Sequence, residues 1–333
     1  MRPQDVLTLR PQGLYCPAAD FYIDPTRGVE RAVVTHGHSD HCARGHQAML
    51  ATAPTGAIAR ARHGKGAYDT FQAAELGAAI QMGDAQIRFM PAGHVLGSAQ
   101  ITIETGGTRV VISGDYKRAT DPTCTAFEPV ICDLFVTEAT FGLPVYRHPP
   151  LRGELQKLFA SLETFPNRAH VVGVYSLGKA QRIMGELLAC GYDRPVYLHH
   201  SLIPMTQIYQ NFDVPLIPWE PAADMPTEAL RGQIVLAPPS AVQEPWARFL
   251  PEPLAVGASG WMQVRGRAQS RQVELPLIVS DHCDWDALCQ TVHQVQAETI
   301  WVTHGAEDAL VHWCQGQGLD AAPLRIAGRG VAQ

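Results

Sequence analysis

The stretch VVTHGHSDHCARGH opens at Val33 and places His36, His38, Asp40 and His41 within six residues. Imidazole and carboxylate are the usual donors to zinc and related ions. On an extended segment His36 and His38, two residues apart, face the same way. Asp40 and His41 fall where a helix is expected to begin, running from about Asp40 to Leu50, so they present donors from another direction. Two donors facing one way and two another suit a pair of metal ions better than one. A solvated turn is the alternative. His46, five residues further on, reads as a helix-surface histidine.

A metal pair needs more donors, and three other predicted strand ends supply them. His94 lies between glycines in FMPAGHVLGS, Asp115 directly follows a strand in VVISGDYKR, and His304 ends a strand in TIWVTHGAED. One strand-end histidine is usually structural, but three such sites beside HxHxDH point to ligands. Asp24 in FYIDP is expected to orient a histidine ligand by a hydrogen bond.

The elements that carry these residues can be read from the pattern. ERAVVTH, QIRFMPA, AQITIET, TRVVISGD and DLFVTEA are β-branched or aromatic runs bounded by Gly, Asp or Pro, which predicts short strands. A second helix is expected through IARARHGKGAYD. Beyond YRHPP the texture changes. LRGELQKLFASLETF has helical spacing, and AHVVGVYSLGKAQRIMGELLACG and RPVYLHHSLIPMTQIYQNF each read as strand then helix. GQIVLAPPS and PLAVGASGW are further strands, and the Pro-rich VPLIPWEPAADMP ahead of them reads as a surface connection. Alternation of strand and helix predicts a parallel sheet. After about residue 272 the strands ELPLIVSDH and ETIWVTHG alternate with helices through DWDALCQTVHQV and EDALVHWCQ. The chain therefore reads as an α/β protein in which one domain, residues 1–148 and 271–333, is interrupted by an inserted α/β domain, residues 149–270.

Composition sets bounds. The chain has 333 residues, 46% of them hydrophobic and 17% charged, as a folded domain requires. Its eight cysteines form no CxxC pair, which argues against a ribbon-type zinc site or a dithiol redox motif. The N-terminus MRPQDVLTLRPQG has no apolar core of a secretory signal, and no apolar run approaches the ~18 residues of a membrane span, so a cytoplasmic protein with no membrane partner is expected. The net charge of −6 does not suggest nucleic acid, but a groove needs only a local basic stripe. IARARHGKG (Arg60, Arg62, Lys65) and WMQVRGRAQSR (Arg265, Arg267, Arg271) offer two, neither containing an acid. YSLGKAQR lacks the GxxxxGK[ST] phosphate loop, yet Ser176 and Lys179 at a helix start are candidates for holding a substrate phosphate. Lys117, close behind Asp115, is a candidate for a backbone phosphate, and Trp261 for stacking on a base or for plain packing.

THGHSDH, the GH of AGHVLGS and the SGD of VVISGD resemble the metal-binding signature of the metallo-β-lactamase superfamily. The inserted domain, Glu138 in FVTEATFG, His282 in VSDHCDW and His304 in VTHG resemble its β-CASP nuclease branch. With GHVLGS, YSLGKAQ, SGWM and SDHxDW the chain is most similar to bacterial ligase-associated DNA exonucleases, relatives of the Artemis-type DNA-repair nucleases. The resemblance implies an αββα sandwich of two sheets flanked by helices, with an α/β cap inserted. It implies one zinc at His36, His38 and His94, another at Asp40, His41 and His304, and Asp115 bridging them. The ligand set would also accept manganese.

Two metals about 3.5–4 Å apart lower the pKa of a bridging water and bind a phosphate oxygen, which suits an anionic phosphodiester. His282 is then expected to contact the scissile phosphate or protonate the leaving oxygen, with Glu138 orienting it. The implied activity is DNA hydrolysis from a 5′ end, with a DNA ligase and a helicase as functional neighbours. His304 departs from many eukaryotic DNA nucleases of this branch, which lack the last histidine, whereas its RNA-processing enzymes have it. An RNA-processing enzyme is therefore the main alternative. A small-molecule metallo-hydrolase would need neither the cap nor the Glu138–His282 pair, and a non-catalytic scaffold would be expected to have lost ligands.

Overall fold

The computed structural model describes residues 2–328. The described chain is a mixed α/β protein with three sheets. It divides into two compact units. The first takes in the chain up to Thr120, Cys124–Arg147 and the chain from His282 onward, and the second takes in Asp121–Thr123 and His148–Asp281.

The first unit contains two sheets. One has six strands in sequence order: Thr8–Arg10, Gly13–Cys16, Phe21–Ile23, Arg31–Val33, His46–Thr52 and Tyr68–Ala74. The other has seven, in the order Asp320–Pro323, Thr299–Gly305, Leu134–Ala139, Thr108–Ile112, Ala99–Thr105, Ala85–Pro91 and Ile80–Met82. Thr108–Ile112, Leu134–Ala139 and Thr299–Gly305 are adjacent and parallel, so their carboxyl ends share one edge. That edge is where Asp115, Glu138 and His304 leave the sheet.

Period-two alternation explains the layers. Along Ala99–Thr105, Ala99, Ile101 and Ile103 join a core that also holds Phe21, Ile23, Val33 and Leu50 of the six-stranded sheet. The opposite face of the seven-stranded sheet, with Val111, Phe135, Ile300 and Val302, packs on Leu288 and Val292 of the helix Trp285–Val295 and Leu310 of the helix Glu307–Gly316. The outer face of the six-stranded sheet packs on Ala59 of the helix Ala53–His63. Each fully buried Val, Leu, Ile or Phe contributes ~1.5–3 kcal/mol against exposure.

The expected helix from Asp40 to Leu50 does not form. His46–Thr52 is instead a central strand, paired in parallel with Arg31–Val33 and Tyr68–Ala74. The helix starts at Ala53, where the Thr52 side chain accepts from Thr55 N and Pro54 fits the first turn. It ends at His63, short of the expected GKGAYD extension, because Gly64 takes φ +58°. His46 is accordingly a strand residue, only 1% exposed, and not a helix-surface histidine. Pairing with Arg31–Val33 and Tyr68–Ala74 decides the strand where the local pattern is ambiguous.

The second unit is an all-parallel sheet in the order Trp219–Pro221, Val196–Leu198, Ile234–Ala237, His170–Gly173, Leu254–Ala258 and Leu275–Leu277. The helices Leu151–Thr164 and Lys179–Ala189 cover one face, packing on Val172, Leu236 and Val256. Two expectations change here. Trp219–Pro221, inside the Pro-rich connection, is an edge strand, a position that tolerates proline. Leu275–Leu277 pairs with Leu254–Ala258, so the chain returns to the first unit after Asp281, eleven residues later than the expected boundary at residue 270.

Candidate metal centre

Three side-chain nitrogens meet in the first unit. His36 Nε2 lies 3.2 Å from His38 Nδ1, and His94 Nε2 lies 2.9 Å from the same atom. Tetrahedral zinc with Zn–N distances of ~2.0–2.1 Å sets its ligand atoms about 3.3 Å apart. The three imidazoles are thus spaced as ligands of one small cation. Asp115 completes the group, its Oδ2 lying 3.5 Å from His36 Nε2 and 3.7 Å from His94 Nε2. These four residues could hold a metal ion.

The other oxygen of Asp115 faces a second position. Asp115 Oδ1 lies 3.4 Å from His41 Nε2, which is buried without a hydrogen-bond partner. A buried ring nitrogen aimed at a carboxylate and otherwise unsatisfied fits a cation ligand. Asp40 Oδ2 is 4.0 Å from the same nitrogen, and its side chain is 67% exposed. The His304 ring stacks on His41 with centroids 5.1 Å apart. Asp40 and His304 thus both lie beside His41, which itself faces Asp115 Oδ1, with Asp40 open to solvent.

Local structure aims these groups. His38 O accepts from the backbone N–H of His41 and Cys42, which turns the chain after His38. Gly93 has φ +72°, and a Cβ there would sit 2.3 Å from Lys117 O, so only glycine lets the His94 loop close on the Asp115 loop. The two loops are joined by Lys117 N–H donating to Ala92 O at 3.0 Å. The Ser98 hydroxyl accepts from His94 N and Val95 N, both at 3.1 Å. His304 sits at a register shift between Glu138 and Ala139, where Thr303 pairs with Glu138 and Gly305 with Ala139. This β-bulge gives His304 a φ of +56° and turns its side chain out of the strand alternation.

One carboxylate sets the protonation of two imidazoles. Thr35 N–H and Thr35 Oγ1–H donate to the two oxygens of Asp24 at 2.7 and 2.6 Å. With its proton committed, Thr35 Oγ1 accepts from His36 Nδ1 at 3.0 Å, which leaves a lone pair on His36 Nε2. Burial first, then the neighbouring imidazoles, hold His36 well below its usual pKa and keep it neutral. His41 Nδ1 donates to Asp24 Oδ2 at 2.8 Å. Burial disfavours the His41 cation, but Asp115 and Asp24 outweigh it and raise its pKa to about 10. Without a metal, His41 carries the positive charge that the carboxylates demand.

Beside Asp115 a second pair forms. His282 Nδ1 lies 2.9 and 3.1 Å from the two oxygens of Glu138, and 3.9 Å from Asp115 Oδ2. Glu138 is 1% exposed and also accepts from Tyr116 N at 2.8 Å and the Thr140 hydroxyl. Burial would raise its pKa, yet His282 and these donors hold it below the ordinary carboxylate value. The His282 side chain is 23% exposed, so its ring reaches the surface while its partner does not.

No family model matches the chain. Over 317 residues it is 29% identical to a probable DNA ligase of Opitutus terrae, an alignment covering 93% of this chain and 30% of that protein. It is 31% identical to the endoribonuclease YSH1 of Kluyveromyces lactis over 35% of this chain and 16% of that one. It is 30% identical to an RNase J-like protein of Methanocaldococcus jannaschii over 38% of this chain and 32% of that one. The chain thus spans less than a third of each of these relatives. A crystal structure of a protein of unknown function from Enterococcus faecalis V583 superposes with a TM-score of 0.58 at 13% identity, covering 83% of this chain and 76% of that one. That likeness is one of fold.

The remaining sequence candidates are arranged differently. Lys117 is 2% exposed and donates to His94 O at 3.4 Å, so it braces the His94 loop. Ser176, Lys179, Trp261, Arg265 and Arg267 belong to the second unit. Lys179 is buried, 3.5 Å from Asp281 Oδ2 and over the Tyr175 ring. Ser176 gives its carbonyl to Gln181 Nε2, and Gln181 Oε1 accepts from Gly178 N, so the helix start is partly satisfied from within. The Arg267 guanidinium lies 4.1 Å over the Trp261 ring, and Arg265 is exposed. Thr35 and Thr140 escaped sequence reasoning. Thr35 adjoins HGHSDH, but only the fold brings Asp24 to it, and Thr140 donates to Glu138 from two residues further on.

Proposed function

We propose that this chain is a metal-dependent nuclease of the β-CASP branch of the metallo-β-lactamase superfamily. In this reading the first unit is the αββα metallo-β-lactamase domain and the second is the β-CASP cap. The observation that carries it is Asp115, with one oxygen beside His36 and His94 and the other beside His41. This is the disposition of a carboxylate shared by two cations. The proposed ions are zinc, with manganese compatible with the same donors. His36, His38, His94 and Asp115 would hold one. His41, Asp40, His304 and Asp115 would hold the other.

Bound there, the metals would supply an acidified water and a counter-charge for a phosphate oxygen. The chain's own residues do the rest. Asp24 and Thr35 fix which ring nitrogens carry lone pairs. Glu138 holds the His282 Nδ1 proton, so a proton exchanged with the leaving oxygen passes through Nε2. Glu138 keeps its charge because His282 and two further donors offset its burial.

The proposed substrate is DNA, cleaved exonucleolytically from a 5′ end in repair, in a cytoplasmic setting beside a ligase and a helicase. Support comes from the alignment of nearly the whole chain to a protein named as a probable DNA ligase. Ser176, Trp261, Arg265 and Arg267 remain proposed nucleic-acid contacts, whereas the sequence candidates Lys117 and Lys179 are buried and position their loops instead. RNA is the second reading, favoured by relatives named as an endoribonuclease and an RNase J-like protein. Digestion of matched 5′- and 3′-labelled DNA and RNA strands by protein of defined metal content tests both. The expected product is mononucleotide from the 5′ end of DNA. Release from neither polymer overturns the nuclease reading.

A further inference from the structure

We propose that the second unit carries a nucleotide pocket of its own, which accepts one nucleobase with its phosphate at the carboxyl ends of the central strands. The inference deepens the nucleic-acid reading above and rests on it.

The topology selects the place. From His170–Gly173 the chain first builds outward on one side, through Val196–Leu198 and Trp219–Pro221. It then returns to Ile234–Ala237 and crosses to the other side of His170–Gly173 to form Leu254–Ala258. The winding reverses beside His170–Gly173. In open parallel sheets ligands bind outside the carboxyl ends of the strands at such a reversal.

A cavity of about 450 Å³ lies there, lined by Gly173, Tyr175, Val256, Gly257 and Ala258 at the strand ends. That volume is in the range of small-ligand sites, ~300–1,000 Å³. Its floor depends on two glycines that are direct partners in register, Gly173 and Gly257. A Cβ on Gly257 would lie 2.8 Å from Val273 Cγ2 and 3.3 Å from Met262 Sδ, and one on Gly173 would lie 3.3 Å from Pro239 Cα. Two adjacent strands therefore lack side chains at one level, which lets Val273, Met262 and Pro239 pack close over the strand ends and wall the cavity. The two glycines face away from the helices Leu151–Thr164 and Lys179–Ala189, which pack on the alternate residues Val172 and Val256.

The lining defines the ligand. Tyr175, 56% exposed, and the thioether of Met262 present flat or deformable apolar surface to a planar ring. Ser240 and Ser259 add hydroxyls, and Arg271 adds a guanidinium. Arg271 ends the acid-free stretch WMQVRGRAQSR. A planar heterocycle with hydrogen-bonding edges and one attached phosphate satisfies each of these groups. A released mononucleotide and a nucleotide still within a strand share this chemistry.

The test uses the full chain, loaded with metal, titrated with thymidine 5′-monophosphate, thymidine and inorganic phosphate. Ser240 and Arg271 are both exposed, so substitutions there leave the core intact. Ser240→Trp, which fills the mouth, is expected to weaken thymidine monophosphate and thymidine at least tenfold. Arg271→Ala is expected to weaken the monophosphate at least tenfold and thymidine less than twofold, with Arg271→Lys in between. If the pocket serves a bound strand, both variants raise KM for single-stranded oligothymidylate at unchanged kcat. If it serves the product, KM stays and inhibition by the monophosphate is relieved. Monophosphate affinity within twofold of the parent in both variants, with unchanged melting curves, overturns the pocket, as does absence of binding to the parent. Failure of any strand to release nucleotides strikes the nuclease reading instead, and the titrations do not depend on it.

Discussion

Asp24 Oδ2 accepts from both His41 Nδ1, at 2.8 Å, and the Thr35 hydroxyl, at 2.6 Å. Through Thr35 it also reaches His36 Nδ1. A carboxylate that contacts no cation in the proposed site thus holds two of its imidazoles in their ligating tautomers. Such partners typically change metal affinity 10–100-fold when removed. Asp24→Asn should weaken metal binding by about that factor, measured by competition with a chromogenic chelator. Unchanged affinity would show that the loop, and not Asp24, orients the rings.

Metal binding should be linked to protons through His41. Its pKa is raised to about 10, so the metal-free protein holds this proton at neutral pH. A cation must displace it, and apparent affinity should therefore rise with pH until about 10. Calorimetry in two buffers of different ionisation enthalpy should report proton release near pH 7. Stability of the metal-free protein should run the other way. The ion pair contributes fully below the unfolded imidazole value of 6.5 and is lost as pH rises through about 10. Proton-neutral binding at pH 7 would contradict the assignment.

The Glu138–His282 pair should serve turnover more than metal retention. His282→Ala should lower kcat by ~10²–10⁴-fold with metal content intact. Glu138→Gln should lower kcat in the same direction and shift the basic limb of the pH–rate profile to lower pH, because the Glu138 charge no longer supports an imidazolium. Loss of metal from His282→Ala would make His282 a ligand, as its 3.9 Å approach to Asp115 permits.

The bulge that turns His304 should be sensitive at its glycine. A Cβ on Gly305 would lie 2.2 Å from Ala139 O, in a backbone with φ +80°. Gly305→Ala should destabilise the protein by ~1–3 kcal/mol and deplete metal, read by thermal melting and metal analysis. A core control separates the two effects. Ile101→Ala, deep between the two sheets, should cost ~2–5 kcal/mol while leaving metal stoichiometry unchanged in the folded fraction.

Much of the fold was legible from alternation and breakers. AQITIET, TRVVISGD and DLFVTEA are strands at Ala99–Thr105, Thr108–Ile112 and Leu134–Ala139, and LRGELQKLFASLETF is the helix Leu151–Thr164. These segments carry their pattern locally, through β-branched runs or a 3.6-residue repeat. His46–Thr52 misled because HQAMLAT is apolar without a clear period, and a buried strand and a buried helix then look alike. Trp219–Pro221 misled because its proline and those flanking it argue for a loop wherever the strand is not known to lie at an edge.

The sequence by itself determined which chemistry was available: histidines and carboxylates close together in THGHSDH and at the ends of short strands. Donor type and short-range spacing are properties of the chain. Tertiary structure alone decided how those donors face one another. Asp115 divides its two oxygens between two sets of imidazoles because the parallel strands that end at Ile112, Ala139 and Gly305 share an edge. Asp24 reaches Thr35 and His41 because Phe21–Ile23 pairs in parallel with Arg31–Val33. The same dependence withdrew Lys117 and Lys179 into buried contacts. Register and burial are set by pairings between distant segments, which no local window of residues contains.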